Sequence, residues 1–506
     1  MLAVVIGLAI TMAVPAMAAD LTATGFIGIS GTVFKNIPPA VPGYYLNTTW
    51  DGPAFNKMGA YMALRGRLGF NLRASEDLVG VFMLEMDSNQ FGEWGATGQR
   101  NVAGTFGADR NAVEIKSIYV DFRIPPKLPV WARIGLMTYA LRPQAGFMLF
   151  DATGVQLRST IDPIKLNVTG MYAKILSATD GGNAAGTTAD ASYWEAVTGS
   201  ELYGIDMNIP LTFSPKFSIK PGAFFVYQTM RMSGSAAGIG GTGAAGTGYP
   251  IQKFAAGTDD AYLFWLGAYL NGKLGPLPME LDFIYQGGKV TYTQATNQHT
   301  TLNSFLFRGW ISYVFKGLEV GGGAMYVQGE NYKKYNQTAA GAGATMQYAP
   351  NSGAASSRFI LPQPATDAVP GDSIVYTGGW MGTGINAHIG ALLAPETELP
   401  GFWYARGYAY YKVFDWMKVG AQLMYIAGTD RYNDNTPFVE YYNARHDNGD
   451  NGIGWEMDYG VNVQIYKNLS FNGAFGYLFP QKQMSMAGGQ APAAPWQFVG
   501  LLLYTF

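Results

Sequence analysis

The 506-residue chain has no cysteine. Disulfides, thiolate metal sites and cysteine nucleophiles are therefore excluded. Charge is scarce: 13% of residues are Asp, Glu, Lys or Arg, against about 25% in ordinary soluble proteins. The 33 basic and 35 acidic residues nearly cancel, so there is no basic surplus for a nucleic-acid partner. Beyond Ala18 there is no run of about 18 apolar residues, which removes helical membrane spans. Neither G-x-S-x-G nor H-E-x-x-H occurs, and His299, His388 and His446 lie far apart in predicted loops. No hydrolase chemistry and no cofactor is expected.

The chain is rich in 66 Gly, 32 Tyr and 29 Phe, yet its mean hydropathy is only +0.04. Strands with one apolar and one polar face average to such a value. The last residues show the pattern most plainly. Counting back from Phe506, every second residue is apolar or glycine: Tyr504, Leu502, Gly500, Phe498 and Trp496. A period of two puts these on one face of a strand. At the other end, Met1 to Ala18 is apolar and finishes Ala16-Met17-Ala18. It reads as a signal peptide over 1–18, although it has no basic residue before Lys35.

Met58 to Leu72 alternates in the same way, turns at Ala74-Ser75-Glu76-Asp77, and returns from Leu78 to Asp87. Hairpins of this kind recur around Lys316-Gly317 and Tyr466-Lys467-Asn468. Short turns are expected near 74–77, 125–129, 162–164, 212–216, 274–278, 316–317, 414–417 and 466–468. Long polar or Gly-rich connections separate them, the longest at 329–401, where Ile374 to Leu393 could hold two strands or a short helix. Residues 19–506 thus read as an all-β, transmembrane, antiparallel up-and-down β-barrel of about 18 strands, within about 16 to 20. Phe122, Phe213, Phe217, Phe315, Phe414, Trp416, Tyr466, Phe471 and Phe506 crowd the short-turn side, as an interfacial girdle would.

Two local patterns carry less. Gly238 to Gly243 matches G-x-G-x-x-G, but no strand and helix flank it. Asp447 and Asp450, with Asp430 or Asp434, are weak calcium candidates lacking the EF-hand order of ligands.

The stretch Phe106-Gly107-Ala108-Asp109-Arg110-Asn111-Ala112-Val113-Glu114-Ile115-Lys116-Ser117-Ile118-Tyr119-Val120-Asp121-Phe122, followed by Val130-Trp131-Ala132-Arg133-Ile134-Gly135-Leu136-Met137, resembles a strand, turn and strand of Gram-negative porins. The likeness is greatest to the homotrimeric porins of sulfate-reducing and related deltaproteobacteria. Gly454-Trp455-Glu456-Met457-Asp458-Tyr459 and Gly476-Tyr477-Leu478-Phe479-Pro480 also look like the alginate-export type of 18-stranded barrel. The aromatic ending resembles the signal read by the barrel-assembly machinery, with Phe506 as the recognised residue. The porin resemblance implies a homotrimer in outer-membrane lipid. It also implies that the connection after the fifth strand, 138–152, folds inward and narrows the pore. Tyr139, Arg142, Phe147 and Asp151 lie in it. General porins carry a more acidic loop there.

With the apolar face outward, the lumen face holds Arg65, Arg67 and Arg73 on the second strand and Glu85 and Asp87 on the third. Asp121 and Arg123 follow on the fourth, Arg133 on the fifth and Arg158 on the sixth. The expected function is a porin passing small hydrophilic solutes, not an enzyme. Three alternatives stay open: a substrate-specific export or uptake channel, a structural or adhesive barrel blocked by 329–401, and a barrel enzyme needing a Ser/His pair. With short turns periplasmic, a tag at Lys316-Gly317 should be invisible on intact cells, and one at Gly241-Thr242 should be labelled. Surface labelling of the first tag would reverse the orientation.

Overall fold

The computed structural model describes residues 20–36, 58–88, 90–91, 102–103, 113–124, 128–174, 201–231, 258–292, 298–329, 355–357, 359–362, 370–383, 398–399, 401–429, 451–481 and 493–506. The signal-peptide reading of 1–18, Gly238 to Gly243, His388, His446, Asp430, Asp434, Asp447 and Asp450 fall outside these residues.

The wall is a closed antiparallel barrel of 18 strands. In chain order they are β1 (Asp20–Lys35), β2 (Met58–Ser75), β3 (Leu78–Ser88), β4 (Val113–Arg123), β5 (Val130–Leu141), β6 (Met148–Ile161), β7 (Leu166–Lys174), β8 (Glu201–Asn208), β9 (Phe217–Arg231), β10 (Thr258–Leu274), β11 (Leu277–Tyr292), β12 (Gln298–Phe315), β13 (Leu318–Val327), β14 (Phe402–Phe414), β15 (Met417–Gly428), β16 (Gly452–Tyr466), β17 (Leu469–Pro480) and β18 (Trp496–Thr505). Each pairs with its neighbours in sequence, and β18 returns to β1. The short turns fall where the sequence places them, at 76–77, 162–165, 215–216, 275–276, 316–317, 415–416 and 467–468, and the one expected at 125–129 lies partly outside the described residues. His299 is not in a loop, because β12 begins at Gln298. The stretch 374–383 holds neither strand nor α-helix. It forms bends and one 3-10 turn at Trp380–Gly382.

The outer face is apolar. Ile27, Ile134, Leu157, Ile205, Phe225, Leu266, Phe283, Phe307, Ile311 and Leu423 are all exposed there. At the short-turn end Phe213, Phe217, Phe315, Phe414, Trp416, Tyr466 and Phe506 are exposed. Pairs of them stack, as Phe414 does on Trp416 at 5.1 Å. A second aromatic belt, not read from the sequence, circles the long-loop end. It passes from Phe305 to Tyr326 at 5.3 Å, from Trp403 to Tyr425 at 5.4 Å, and from Tyr425 to Trp455 at 4.8 Å. On β14 the belts are marked by Trp403 and Phe414. For a strand tilted by about 40°, they lie roughly 28 Å apart along the barrel axis, close to the apolar band of about 25 Å in outer-membrane barrels.

The seam is closed by the chain's last residue. Gly25 N–H donates to Phe506 O at 3.0 Å, and Phe506 N–H donates to Gly25 O at 3.1 Å. A Cβ on Gly25 would lie 2.8 Å from the Phe506 ring and 2.2 Å from Arg67 O. The smallness of Gly25 thus makes room for this chain's own terminal ring. Gly31, by contrast, has nothing among the described residues within 4 Å of its Cβ position. Deleting Phe506 should sharply reduce folded, heat-modifiable protein. Gly25→Trp, which keeps the ending but displaces the ring, should do so as well. Normal folding of both would show that the seam does not depend on this contact.

Candidate functional site

The lumen is asymmetric because two segments leave the wall and fold into it. The first is the tip of the β5–β6 hairpin. β4 pairs with β5 only as far as Leu136, and β7 pairs with β6 only from Thr153. Among the described residues, the rungs from Met137↔Ala152 to Leu141↔Met148 therefore have no third strand. The departure point is the glycine rung Gly135↔Gly154. Gly135 has φ +137°, and a Cβ there would sit 2.3 Å from Ile118 O. A Cβ on Gly154 would sit 2.0 Å from Tyr172 O. Only glycine lets the hairpin bend so close to its neighbours. Most of 138–152 is therefore strand rather than loop, with a 3-10 turn at Pro143–Ala145 as its tip.

The hairpin crosses the lumen to β9, β10 and β11. Phe147 packs on Phe224 at 5.2 Å and on Trp265 at 6.1 Å. Tyr139 is fully buried and donates its hydroxyl to Tyr172 O at 2.7 Å. Arg142, at the tip, donates to Asp282 and Glu280 at 2.5 Å each and to Asn271 at 3.2 Å. Its guanidinium lies 4.5 Å from the centre of the Tyr269 ring. It is thus a tether to the opposite wall.

The second inward element is 370–383, from the long connection before β14. Asp372 accepts from Arg308 at 3.0 and 3.1 Å and from the Tyr404 hydroxyl, and forms an ion pair with Arg406 at 2.5 Å. The backbone N–H groups of Val375 and Tyr376 donate to Glu456 at 2.5 and 3.0 Å, and that of Ile374 donates to Asp458 at 3.3 Å. Gln422 Nε2 donates to Asp458 Oδ2 at 2.6 Å and to Asp372 O at 2.7 Å. Trp380 stacks on Tyr410 and donates its indole N–H to the Tyr410 hydroxyl at 2.9 Å. Arg308 also lies 3.8 Å from Glu280, and Gly146 at the hairpin tip meets Pro370. One chain of charges, Arg142–Glu280–Arg308–Asp372–Arg406, therefore joins both inward elements to the wall. The apolar cluster around Phe147, Trp265, Phe359, Tyr376 and Phe402 fills the space beside it.

The β2–β6 side carries charged side chains that are partly accessible. Glu85 meets Arg67, with Arg65 at 3.9 Å and Lys116 at 3.5 Å. Asp121 meets Arg133 at 2.7 Å and Arg158 at 2.5 Å. Arg133 lies over the Tyr119 ring at 4.3 Å. Asp151 accepts from Thr138 at 2.6 Å. Arg73 is exposed at the short-turn end of β2. Arg123 donates to Leu128 O at 3.1 Å and lies 3.8 Å from Asp77, so it braces a turn at the rim. Asp87 stands opposite Arg65 in the β2–β3 register.

Lys116 is a lumen residue that strict alternation misses. Counting by twos from Asp121 puts Ile115 inside and Lys116 outside. The β3–β4 register instead passes from Met83↔Ser117 to Leu84↔Ile115 and leaves Lys116 unpaired, a β-bulge. Ile115 and Ile118, 50% and 51% exposed, both face out. The sequence signal is two isoleucines three apart around a polar pair. Left facing the bilayer midplane, a lysine would cost about 2–4 kcal/mol. The partners of Asp372 were harder to foresee, because they lie on β12 and β14, far from it in sequence.

Burial alone would raise the Asp372 carboxyl, but the guanidinium groups of Arg308 and Arg406 and the Arg308 and Tyr404 hydrogen bonds hold it below its ordinary value. Its folded pKa thus lies below the unfolded value of about 4. The linked stabilisation is full above that value and is lost as pH falls through the folded pKa. Asp372→Asn strips two buried arginines of a carboxylate, at a cost of about 3–5 kcal/mol. Amide exchange at Val375 and Tyr376 should accelerate at least about tenfold at neutral pH. Unchanged exchange would mean that other contacts seat the segment.

No family model matches the chain, and no curated protein matches it. Solved structures do. OccAB4 of Acinetobacter baumannii superposes with a TM-score of 0.50 at 9% identity, over 97% of this chain and 99% of its own. OccK8 (OprE) of Pseudomonas aeruginosa gives 0.49 at 10% identity, over 96% and 98%. OpdK of Pseudomonas aeruginosa, solved with vanillate, gives 0.48 at 8% identity, over 96% and 98%. The chain shares its fold, a closed antiparallel barrel of 18 strands, with OccAB4 of Acinetobacter baumannii.

Proposed function

We propose that this protein is an outer-membrane channel that passes small hydrophilic solutes passively. The path runs between the inward hairpin and the charged wall of β2–β6. One observation carries this reading. Arg67, Arg133 and Arg158 keep 28%, 24% and 38% of their side-chain surface accessible on one side of the lumen. The opposite side is packed by residues that are almost wholly buried. Solutes are therefore confined to the charged side, where the hairpin base at Thr138 and Asp151 forms the constriction.

The pairing pattern favours anions. Glu85 is shared by Arg65, Arg67 and Lys116, and Asp121 by Arg133 and Arg158. Lys116 also pairs with Asp151 and Arg65 stands opposite Asp87, so the surplus positive charge lies in the Asp121 cluster, where it lowers the barrier for an anion in an aqueous passage. The two inward elements that pack one side of the lumen also support the second reading, a substrate-specific channel rather than a general porin. Export through the inner membrane with loss of 1–18, assembly through the Phe506 ending, and a homotrimer of the kind in the porins it resembles belong to the same proposal. The outward Gly31↔Gly500 rung would be a flat spot for a subunit contact.

Planar-bilayer recording of the purified protein tests it. Discrete conductance steps are expected, with a reversal potential in a salt gradient displaced toward that of the anion. Folded, inserted protein that passes no current would sink the channel reading and favour the plugged structural barrel.

A further inference from the structure

We infer that Lys116 sets the ion preference of this passage by neutralising Asp151 at the base of the inward hairpin. The inference rests on the channel reading above. The bulge turns Lys116 into the lumen, where its side chain is 11% accessible. Its Nζ reaches Asp151 Oδ2 on the hairpin at 2.5 Å and Glu85 Oε1 on the wall at 3.5 Å. The two acids differ in what else they have. Glu85 keeps Arg67 and Arg65 whether or not Lys116 is present. Among the described residues, Asp151 has the Thr138 hydroxyl as its other partner, and its side chain is 26% accessible. Removing the ammonium group would therefore leave Glu85 compensated and turn Asp151 into a bare carboxylate beside the path. A single negative charge in a low-dielectric constriction favours cations and disfavours anions.

The rung geometry explains why this site lies at the constriction. Thr138↔Asp151 comes just after the last rungs shared with β4 and β7. Lys116 thus bridges the fixed wall and the first free part of the hairpin. It is a positioning residue as well as a charge, and the experiment must separate the two roles.

Lys116→Gln, Asp151→Asn, the double variant and Lys116→Arg would be compared with the unmutated protein in bilayers. The readouts are reversal potential in a potassium chloride gradient and single-channel conductance, with folding checked by heat-modifiable mobility. Lys116→Gln should lower the chloride-to-potassium permeability ratio at least about twofold. Asp151→Asn should raise it, the double variant should return close to the unmutated ratio, and Lys116→Arg should keep it. If Lys116 only props the hairpin, both single variants would shift conductance in the same direction and the double variant would restore nothing. That result, or an unchanged ratio in Lys116→Gln, overturns the inference while leaving the channel standing. If Lys116→Gln fails to fold, Asp151→Asn and Lys116→Arg still decide the matter. Absence of current from folded unmutated protein removes the channel reading, and this one with it.

Discussion

The structure depends on the obligation of every backbone amide in an apolar surrounding to find a partner. An open sheet leaves two edges unpaired, at a cost of several kcal/mol for each buried polar group. Closure removes both edges together. Here closure relies on β1 meeting β18 over Phe26↔Thr505 to Lys35↔Trp496. The exchange of hydrogen bonds between Gly25 and Phe506 extends that pairing to the last residue. Once the cylinder is closed, period-two alternation does the rest. Each strand presents isoleucine, leucine and aromatic rings outward and returns its polar residues to the lumen.

A closed barrel of this size has an interior too wide for wall side chains to fill. The chain fills one side by folding two of its own segments inward. Apolar burial supplies much of the drive, since each fully buried side chain of the size of Phe147 contributes about 1.5–3 kcal/mol. Charge supplies the direction. Arg142 reaches Glu280 and Asp282, and Asp372 reaches Arg308 and Arg406, so each inward element has a specific landing point on the wall. Misplacing either element would strand a buried charge, which costs more than a lost contact. Arg65, Arg67, Glu85, Lys116, Asp121, Arg133 and Arg158 stand together on the other side, joined to one another by ion pairs.

Much of this was legible in the sequence. The strand count, the antiparallel order, the positions of the short turns and the girdle beside them follow from a periodicity that is local and repeated. The lumen side of Arg65, Arg67, Glu85, Asp121, Arg133 and Arg158 follows from the same count by twos. Lys116 was missed because a single bulge shifts that count. The contact of Gly25 with Phe506 is not legible in the local pattern, because the two stand at opposite ends of the chain. Arg123 was placed in the lumen by its parity, whereas its position next to a turn ties it to the rim.

The sequence by itself determined the wall, because each strand states its own inside and outside within a few residues and pairs with the next strand along. Only the tertiary structure decided what occupies the lumen. The partners there are separated by long stretches of chain: Arg142 from Asp282, Asp372 from Arg308, and Val375 from Glu456. No local periodicity encodes such pairs. They are selected when the barrel closes and sets opposite walls face to face, at a distance that the two inward segments can span.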